Sequence, residues 1–143
     1  MRKPGIVAAE IEFDVAFHDV DLVGVVWHGH YLKYLEIART ELLRTLGFEP
    51  RPGQAPPGKD AAGNSLRVVG AECRYIAPLH YGDRVKITAW VKETGPRIVV
   101  AYDVWNLTRN CQSARARTAL VVVDREGALV GKLSDESMRK LES

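Results

Sequence analysis

The chain has 143 residues, the length of one ordinary domain, so we expect a single domain over residues 1–143. Apolar residues make up 46% and charged residues 27%, which is typical of a folded globular protein and not of a disordered one. A net charge of +2 argues against a general nucleic-acid binder. Apolar runs such as 119–123 are far shorter than the roughly 20 residues of a membrane span. Two cysteines form neither a disulfide framework nor a zinc ribbon, which favours a reduced, cytoplasmic protein.

Two periodic segments open the chain. Apolar and polar residues alternate over 6–18, which predicts a strand with one buried face, and a polar turn follows over 19–24. Apolar residues then recur at three- and four-residue steps from His30 to Leu46, with Lys33 on the opposite, polar side. This pattern predicts one amphipathic helix that stops at Gly47.

The second half of the chain is typical of a sheet. Prolines and glycines predict a long loop over 48–64, which could gate a site. Period-two patterns then predict strands near 69–75, 85–92, 97–107 and 114–124, and a short last helix could begin at Ser134. The result is an α+β protein with one helix against an antiparallel sheet. Because strands 97–107 and 114–124 are apolar on both faces and one helix covers only one face, we expect self-association.

The polar residues that could carry chemistry cluster before the helix: His18, Asp19, Asp21, His28 and His30. Asp21 lies a few residues before a helix N-terminus, whose unsatisfied N–H groups carry about half a positive charge. A carboxylate beside converging donors is the arrangement that acyl transfer uses. The alternative is that Asp21 only turns the chain, as loop aspartates usually do.

Other kinds of site receive less support. His28 and His30 could share a metal only in an extended segment, and no further ligands stand beside them, so no metal is expected. A nucleophile elbow, a Walker loop and a dinucleotide fingerprint are absent from the sequence, so no cofactor is expected. Four arginines are spread over the strand region: Arg97, Arg109, Arg115 and Arg117. Such arginines usually form a solvated face, but a phosphate-bearing ligand could bind two or three of them.

Three segments resemble a known family. Residues 19–31, DVDLVGVVWHGHY, resemble the signature D-x-D-x-x-G-x-V-x-[HY]-x-x-Y of hotdog-fold acyl-CoA thioesterases of the 4-hydroxybenzoyl-CoA thioesterase type. Residues 31–44, YLKYLEIARTELLR, are similar to the Y-x-x-[FY]-x-E-x-A-R-x-E-x-L-R pattern of the branch associated with the Tol-Pal system. The sequence PLHYGD at 78–83 resembles the family's P-x-x-Y-G-D turn. The likeness spans nearly the whole chain.

The resemblance implies a fold and an activity. The fold would be a single hotdog domain, in which a long helix is wrapped by a curved five-stranded antiparallel sheet. Asp21 would be the catalytic carboxylate, acting as nucleophile or as general base, while the backbone N–H of residue 28 polarises the thioester carbonyl and His28 lines the site. The resemblance also implies substrate-binding residues around this centre and at the coenzyme A phosphates: Gly24, Trp27, Gly29, Tyr31 and Arg97.

The resemblance further implies partners. The chain would form a homo-oligomer, a dimer or a dimer of dimers (a homotetramer), with active sites at subunit interfaces. Acyl-CoA and acyl-carrier protein are both expected substrates, because similar patterns occur in thioesterases of polyketide-like and aryl polyene pathways. Val23 and Trp27 depart from the usual residues, so the acyl group is not specified. The alternatives are a non-catalytic module that binds an acyl ligand or carrier protein, and a hotdog dehydratase, whose histidine–glutamate arrangement is missing.

Overall fold

The computed structural model describes residues 8–45 and 63–131. Within these ranges the elements follow one another as β1 Ala8–Asp14, a single 3-10 turn Phe17–Asp19, α1 His30–Arg44, β2 Ser65–Tyr75, β3 Arg84–Glu93, β4 Ile98–Asn106, β5 Cys111–Val123 and β6 Leu129–Val130. The six strands form one antiparallel sheet in the order β1-β3-β4-β5-β2, and β6 pairs with β5. None of the helices in the described ranges has the length and apolar character needed to cross a membrane.

The helix packs on one face of the sheet, against β1 and β3. Its buried stripe has the spacing that the sequence predicts: Tyr31, Tyr34, Leu35, Ala38 and Leu42. Inward side chains of β3, β4 and β5 complete the core, among them Ile87, Tyr102 and Leu120. Each fully buried aliphatic side chain contributes about 1.5–3 kcal/mol relative to exposure. The predicted α+β architecture, one helix against an antiparallel sheet, is confirmed.

Some boundaries differ from the sequence-based expectation. The first strand ends at Asp14, because the Asp19 N–H bonds the Ala16 carbonyl at 3.0 Å and turns residues 17–19 into a 3-10 turn. A sixth strand of two residues joins the five predicted ones, since Asp124 Oδ1 accepts the Glu126 and Ala128 N–H groups and closes a turn after β5. A two-residue strand carries no period that a sequence pattern could show. Predictions for 46–62 and for a helix from Ser134 lie outside the described residues.

The self-association predicted from the two-sided apolar strands stays a prediction, although β4 does not need a second chain to bury its apolar residues. All five residues from Ile98 to Tyr102 are buried within a single chain. On the face away from the helix, Ala101 lies between its cross-strand partners Trp90 and Arg117, whose long side chains flank it on both sides. Exposed apolar side chains do occur on the edge strand β2, where Val68 and Val69 are exposed.

Candidate active site

Residues 20–26, which we name the Asp21 hairpin, form a small turn between β1 and the helix. Val20 pairs with Val26, the Asp21 N–H donates to the Val25 carbonyl at 2.9 Å, and the Gly24 N–H donates to the Asp21 carbonyl at 2.9 Å. Gly24 has φ +88°, a left-handed conformation that side chains other than glycine rarely adopt. Gly24 therefore shapes the turn by its backbone.

The Asp21 carboxylate lies exposed on this hairpin. Its Oδ1 accepts the Val23 N–H at 2.9 Å and the Val25 N–H at 3.4 Å, so the side chain does turn the chain. Its Oδ2 has no hydrogen-bond donor among the residues that the structure describes. One oxygen thus fixes the orientation of the carboxylate while the other can face a ligand, and the structural and the chemical interpretations are compatible.

The turn over 78–83 braces the other side of the Asp21 hairpin. The Val26 N–H donates to the Leu79 carbonyl at 2.8 Å, Val25 pairs with His80, and the Tyr81 N–H donates to the Gly24 carbonyl at 3.3 Å. The part of the sequence that resembles the P-x-x-Y-G-D turn is therefore in direct backbone contact with the hairpin.

Asp83 fixes this brace from within. Its carboxylate is buried, and Oδ2 accepts the His80 N–H at 2.8 Å, Asn106 Nδ2 at 2.8 Å and Arg109 Nε at 3.4 Å. Burial alone would raise the pKa of Asp83, but these hydrogen bonds and the Arg109 charge outweigh it and hold the pKa below its ordinary value. The charged form of Asp83 is thus the form that the fold stabilises.

We expect the stability of the protein to depend on Asp83 in acid. A carboxylate with a depressed pKa in the folded state contributes stability above its unfolded pKa, about 4, and loses it as the pH falls through the folded pKa. Urea unfolding between pH 7 and pH 2 should show the free energy of unfolding falling below about pH 4. Asp83→Asn should be less stable at pH 7 and lose less on acidification; an equal acid loss in both proteins would contradict this prediction.

The helix begins without a side-chain cap. Gly29 occupies the N-cap position, and no side chain in 8–45 or 63–131 caps the first turn. The N–H groups of His28 and Gly29 bond no acceptor in 8–45 or 63–131, whereas those of His30 and Tyr31 bond the Trp27 and His28 carbonyls. Within the described part of the chain, two neighbouring donors are therefore unpaired at the positive end of the helix dipole, which attracts negative charge.

Aromatic rings surround this helix start. The exposed Trp27 ring lies 5.2 Å from the His28 ring and 5.5 Å from the His30 ring. Tyr75 at the end of β2 donates its hydroxyl to the His28 carbonyl at 3.1 Å. A Cβ at Gly29 would collide with the Trp27 indole, so this glycine lets the indole lie across the helix start.

Tyr31 supports the helix start from inside the protein. Its side chain is 3% exposed, and its hydroxyl pairs with Ser113 Oγ at 3.1 Å while Ser113 donates to the Ala77 carbonyl at 2.7 Å. The substrate contact predicted for Tyr31 stays a prediction, and the structure places this side chain in the core.

Arg97 is the one predicted site residue that lies apart. It precedes β4 at the far end of β3, whereas the brace and the Asp21 hairpin adjoin the near end, at Arg84. The ten residues of β3 correspond to about 30 Å of strand. Within one chain the structure brings together Asp21, Gly24, Trp27, His28 and Gly29, and leaves Arg97 distant.

A buried contact beside this site is not evident from the sequence. Asp19 is 5% exposed and accepts hydrogen bonds from Lys33 Nζ at 2.6 Å and from the Tyr34 hydroxyl at 2.8 Å. Lys33 was expected only on the polar helix face, since helical periodicity gives no hint of a partner fourteen residues earlier in the chain. The aspartate before Asp21 in the D-x-D pattern was the only available signal.

A known family and known relatives match most of this chain. The family described as the thioesterase superfamily matches residues 23–112, which is more than half of the chain. A relative in Bacillus subtilis (strain 168), called "Putative acyl-CoA thioesterase YneP", is 29% identical over 116 residues, covering 80% of this chain and 79% of the relative.

Solved structures share the fold. A mutant 4-hydroxybenzoyl-CoA thioesterase in complex with 4-hydroxybenzoyl-CoA superposes with a TM-score of 0.79 at 18% identity, over 94% of this chain and 99% of that one. A 1,4-dihydroxy-2-naphthoyl-CoA thioesterase from Synechocystis superposes with a TM-score of 0.77 at 20% identity, over 94% and 95%. The predicted single hotdog fold is confirmed. Because the family match covers more than half of the chain, the chain belongs to the thioesterase superfamily and is a thioester hydrolase.

Proposed function

We propose that this enzyme hydrolyses an acyl-CoA thioester to the free acid and coenzyme A, with Asp21 as its catalytic carboxylate. One observation carries the proposal: on a short hairpin lies a carboxylate with one oxygen that no described residue bonds, and the hairpin leads into a helix start with two N–H groups that likewise have no acceptor among the described residues. The acyl-CoA thioesterase name of the Bacillus relative supports coenzyme A as the thiol.

The helix start supplies the site for the oxyanion. In the tetrahedral intermediate the thioester oxygen carries a full negative charge, and the His28 and Gly29 N–H groups would donate to it. Removal of one such donor in other enzymes costs about 10²–10³ in rate. Because both donors belong to the backbone, their positions depend on the helix and on the glycine and not on a side-chain rotamer.

Asp21 can act by either of two routes. As a general base it takes a proton from water, the water oxygen bonds the acyl carbon, the carbon–sulfur bond breaks, and the proton passes to the departing thiolate. As a nucleophile it bonds the acyl carbon itself and expels the thiolate, and water then hydrolyses the mixed anhydride. His28 and Trp27 would line the surface on which the thioester lies.

The first experiment measures release of free thiol from short, long and aromatic acyl-CoAs, using the wild type and Asp21→Asn side by side. Turnover in the wild type that is lost in the variant supports the proposal. If neither protein releases thiol from any acyl-CoA of the panel, coenzyme A as the thiol is contradicted, and an acylated carrier protein is the next substrate to test. Saturable binding of acyl ligands without any product would favour a non-catalytic binding module.

Self-association is part of the proposal, as a dimer or a dimer of dimers. The edge strand β2 pairs only with β5 among the described strands and keeps apolar side chains exposed, including Val69 and Tyr75. A second copy seated there would cover them and could bring its Arg97 to the coenzyme A phosphates that lie beyond Asp21 of the first. Sedimentation at several concentrations measures the assembly, and a cytoplasmic location stays a prediction.

Arg97→Ala should weaken binding of coenzyme A substrates without slowing the chemistry. Loss of a phosphate partner removes binding that is equal in the ground and transition states, so KM rises and kcat stays unchanged. The acyl-pantetheine thioester, which lacks the nucleotide phosphates, should show no change. Arg115→Ala removes the same charge from the sheet face away from the helix and serves as the control. An equal rise in KM for both substrates would contradict the phosphate role.

A further inference from the structure

We infer that Asp19 is a positioning residue that ties the Asp21 hairpin to the helix carrying the oxyanion donors. The inference rests on the proposed function, and it adds to the site a buried carboxylate that the reaction itself does not need. Asp19 lies two residues before Asp21 and directly before Val20, the first residue of the hairpin.

Asp19, at the base of the hairpin, forms hydrogen bonds through its side chain and through its backbone carbonyl. Its Oδ1 accepts Lys33 Nζ at 2.6 Å and its Oδ2 accepts the Tyr34 hydroxyl at 2.8 Å, so both carboxylate oxygens hold the first two turns of α1. Its backbone carbonyl accepts the Trp27 N–H at 3.3 Å, directly before the free N–H groups. Asp19 thus links the segment that enters the hairpin to the segment that leaves it and to the helix.

The contact depends on the negative charge of Asp19. Burial would raise the pKa of this carboxyl, but the hydrogen bonds from Lys33 and Tyr34 and the nearby cationic charge hold the pKa below its usual value. The pKa of the Tyr34 hydroxyl is raised, first by its burial and then by its hydrogen bond to Asp19, which keeps it a donor. Lys33 is anchored as well, because its ammonium lies 5.5 Å above the Tyr34 ring. His18 Nε2, at 3.6 Å, adds a further cation when protonated.

We name the contact of Asp19 with Lys33 and Tyr34 the Asp19 clamp. It sets the position of the Asp21 carboxylate relative to the N–H groups at the helix start. The turn over 78–83 holds the Asp21 hairpin to the sheet, while Asp19 holds the hairpin to the helix. Without the clamp the hairpin keeps only its sheet contacts, and the carboxylate can move relative to the helix start. A displacement of about 1 Å between reacting groups can cost on the order of 10² in rate. Substrate contacts away from the reacting carbon would be retained, so KM should change little.

The test is Asp19→Asn, which keeps the shape of the side chain and removes its charge. We expect kcat to fall by about 10- to 100-fold with KM within about twofold. Lys33→Met should lower kcat in the same direction, Lys33→Arg should restore most of it, and Asp19→Asn/Lys33→Met should be no slower than the slower single variant. Asp14→Asn, which breaks the surface pair with Arg84 at 3.2 Å, is the control for loss of a carboxylate–cation pair.

A second readout does not depend on turnover. Hydrogen exchange at the Val26 and Trp27 amides, which bond Leu79 and Asp19, should become about tenfold faster in Asp19→Asn, while amides at the centre of β4 stay unchanged. Unchanged exchange, or unchanged kcat in an active wild-type background, overturns the inference. An inactive wild type would refute the proposed function instead, and the exchange experiment would still decide on the clamp.

Discussion

Asp21→Asn should lower kcat by about 10²–10⁴, the loss expected when a positioned base is removed, and by more if Asp21 is the nucleophile. The fold should be unchanged, since the amide oxygen of asparagine can still accept the Val23 N–H that closes the turn. Substrate binding should also persist, because the helix donors and the aromatic surface remain. Thiol release under saturating substrate, with KM and thermal stability measured on the same samples, checks all three expectations.

The chain offers a matched control in Asp124. This carboxylate closes its own turn in the same way, with Oδ1 accepting the N–H groups of Glu126 and Ala128, both at 2.9 Å, two and four residues later. Asp124→Asn makes the same change in a similar turn after β5, away from the helix start. It should keep wild-type kcat. An equal fall of kcat in both variants would indicate a general effect of turn stability and would contradict the catalytic role of Asp21.

Periodicity and turn chemistry account for the parts of the fold that sequence could predict. The helix begins at His30 as predicted, since its buried stripe repeats every three to four residues. Asp21 could be singled out because a loop carboxylate before a helix N-terminus is a local feature. By contrast, the side chains of β2 follow a period-two pattern but Val69 and Tyr75 are exposed, because period identifies a strand and not what covers it.

The rest of the site depends on contacts between distant parts of the chain. Tyr75 reaches His28, and Ser113 reaches Tyr31, across separations of 47 and 82 residues. The Asp19–Lys33 pair joins a residue expected in a turn to one expected on a solvent-facing helix side. Such contacts follow from the three-dimensional packing of α1 on the sheet, and no local pattern encodes them. The same holds for Arg97, because a sequence motif does not show that the length of β3 separates Arg97 from Asp21.

Leu42→Ala should cost about 2–5 kcal/mol in the free energy of unfolding, the range for truncation of a fully buried leucine. Leu42 is completely buried in the last turns of α1, at the end of the helix away from the oxyanion donors. Its packing fixes the helix on the sheet but does not set the local geometry at Gly29. Urea unfolding should therefore show a large loss of stability, while kcat per folded molecule stays close to that of the wild type.

Ile37→Ala on the same helix is the matched truncation. Ile37 is 51% exposed, so its loss in a single chain should cost within about 0.5 kcal/mol. A cost close to that of Leu42→Ala would mean that another copy of the chain covers this helix face, and its dependence on protein concentration would identify an oligomer contact. A fall of kcat in Leu42→Ala under fully folded conditions would contradict a rigid helix, because packing four turns away would then control the donors at its start. Together, the free energy of unfolding and the kcat of the two variants distinguish the packing that holds the helix on the sheet from the role of its N-terminus in catalysis.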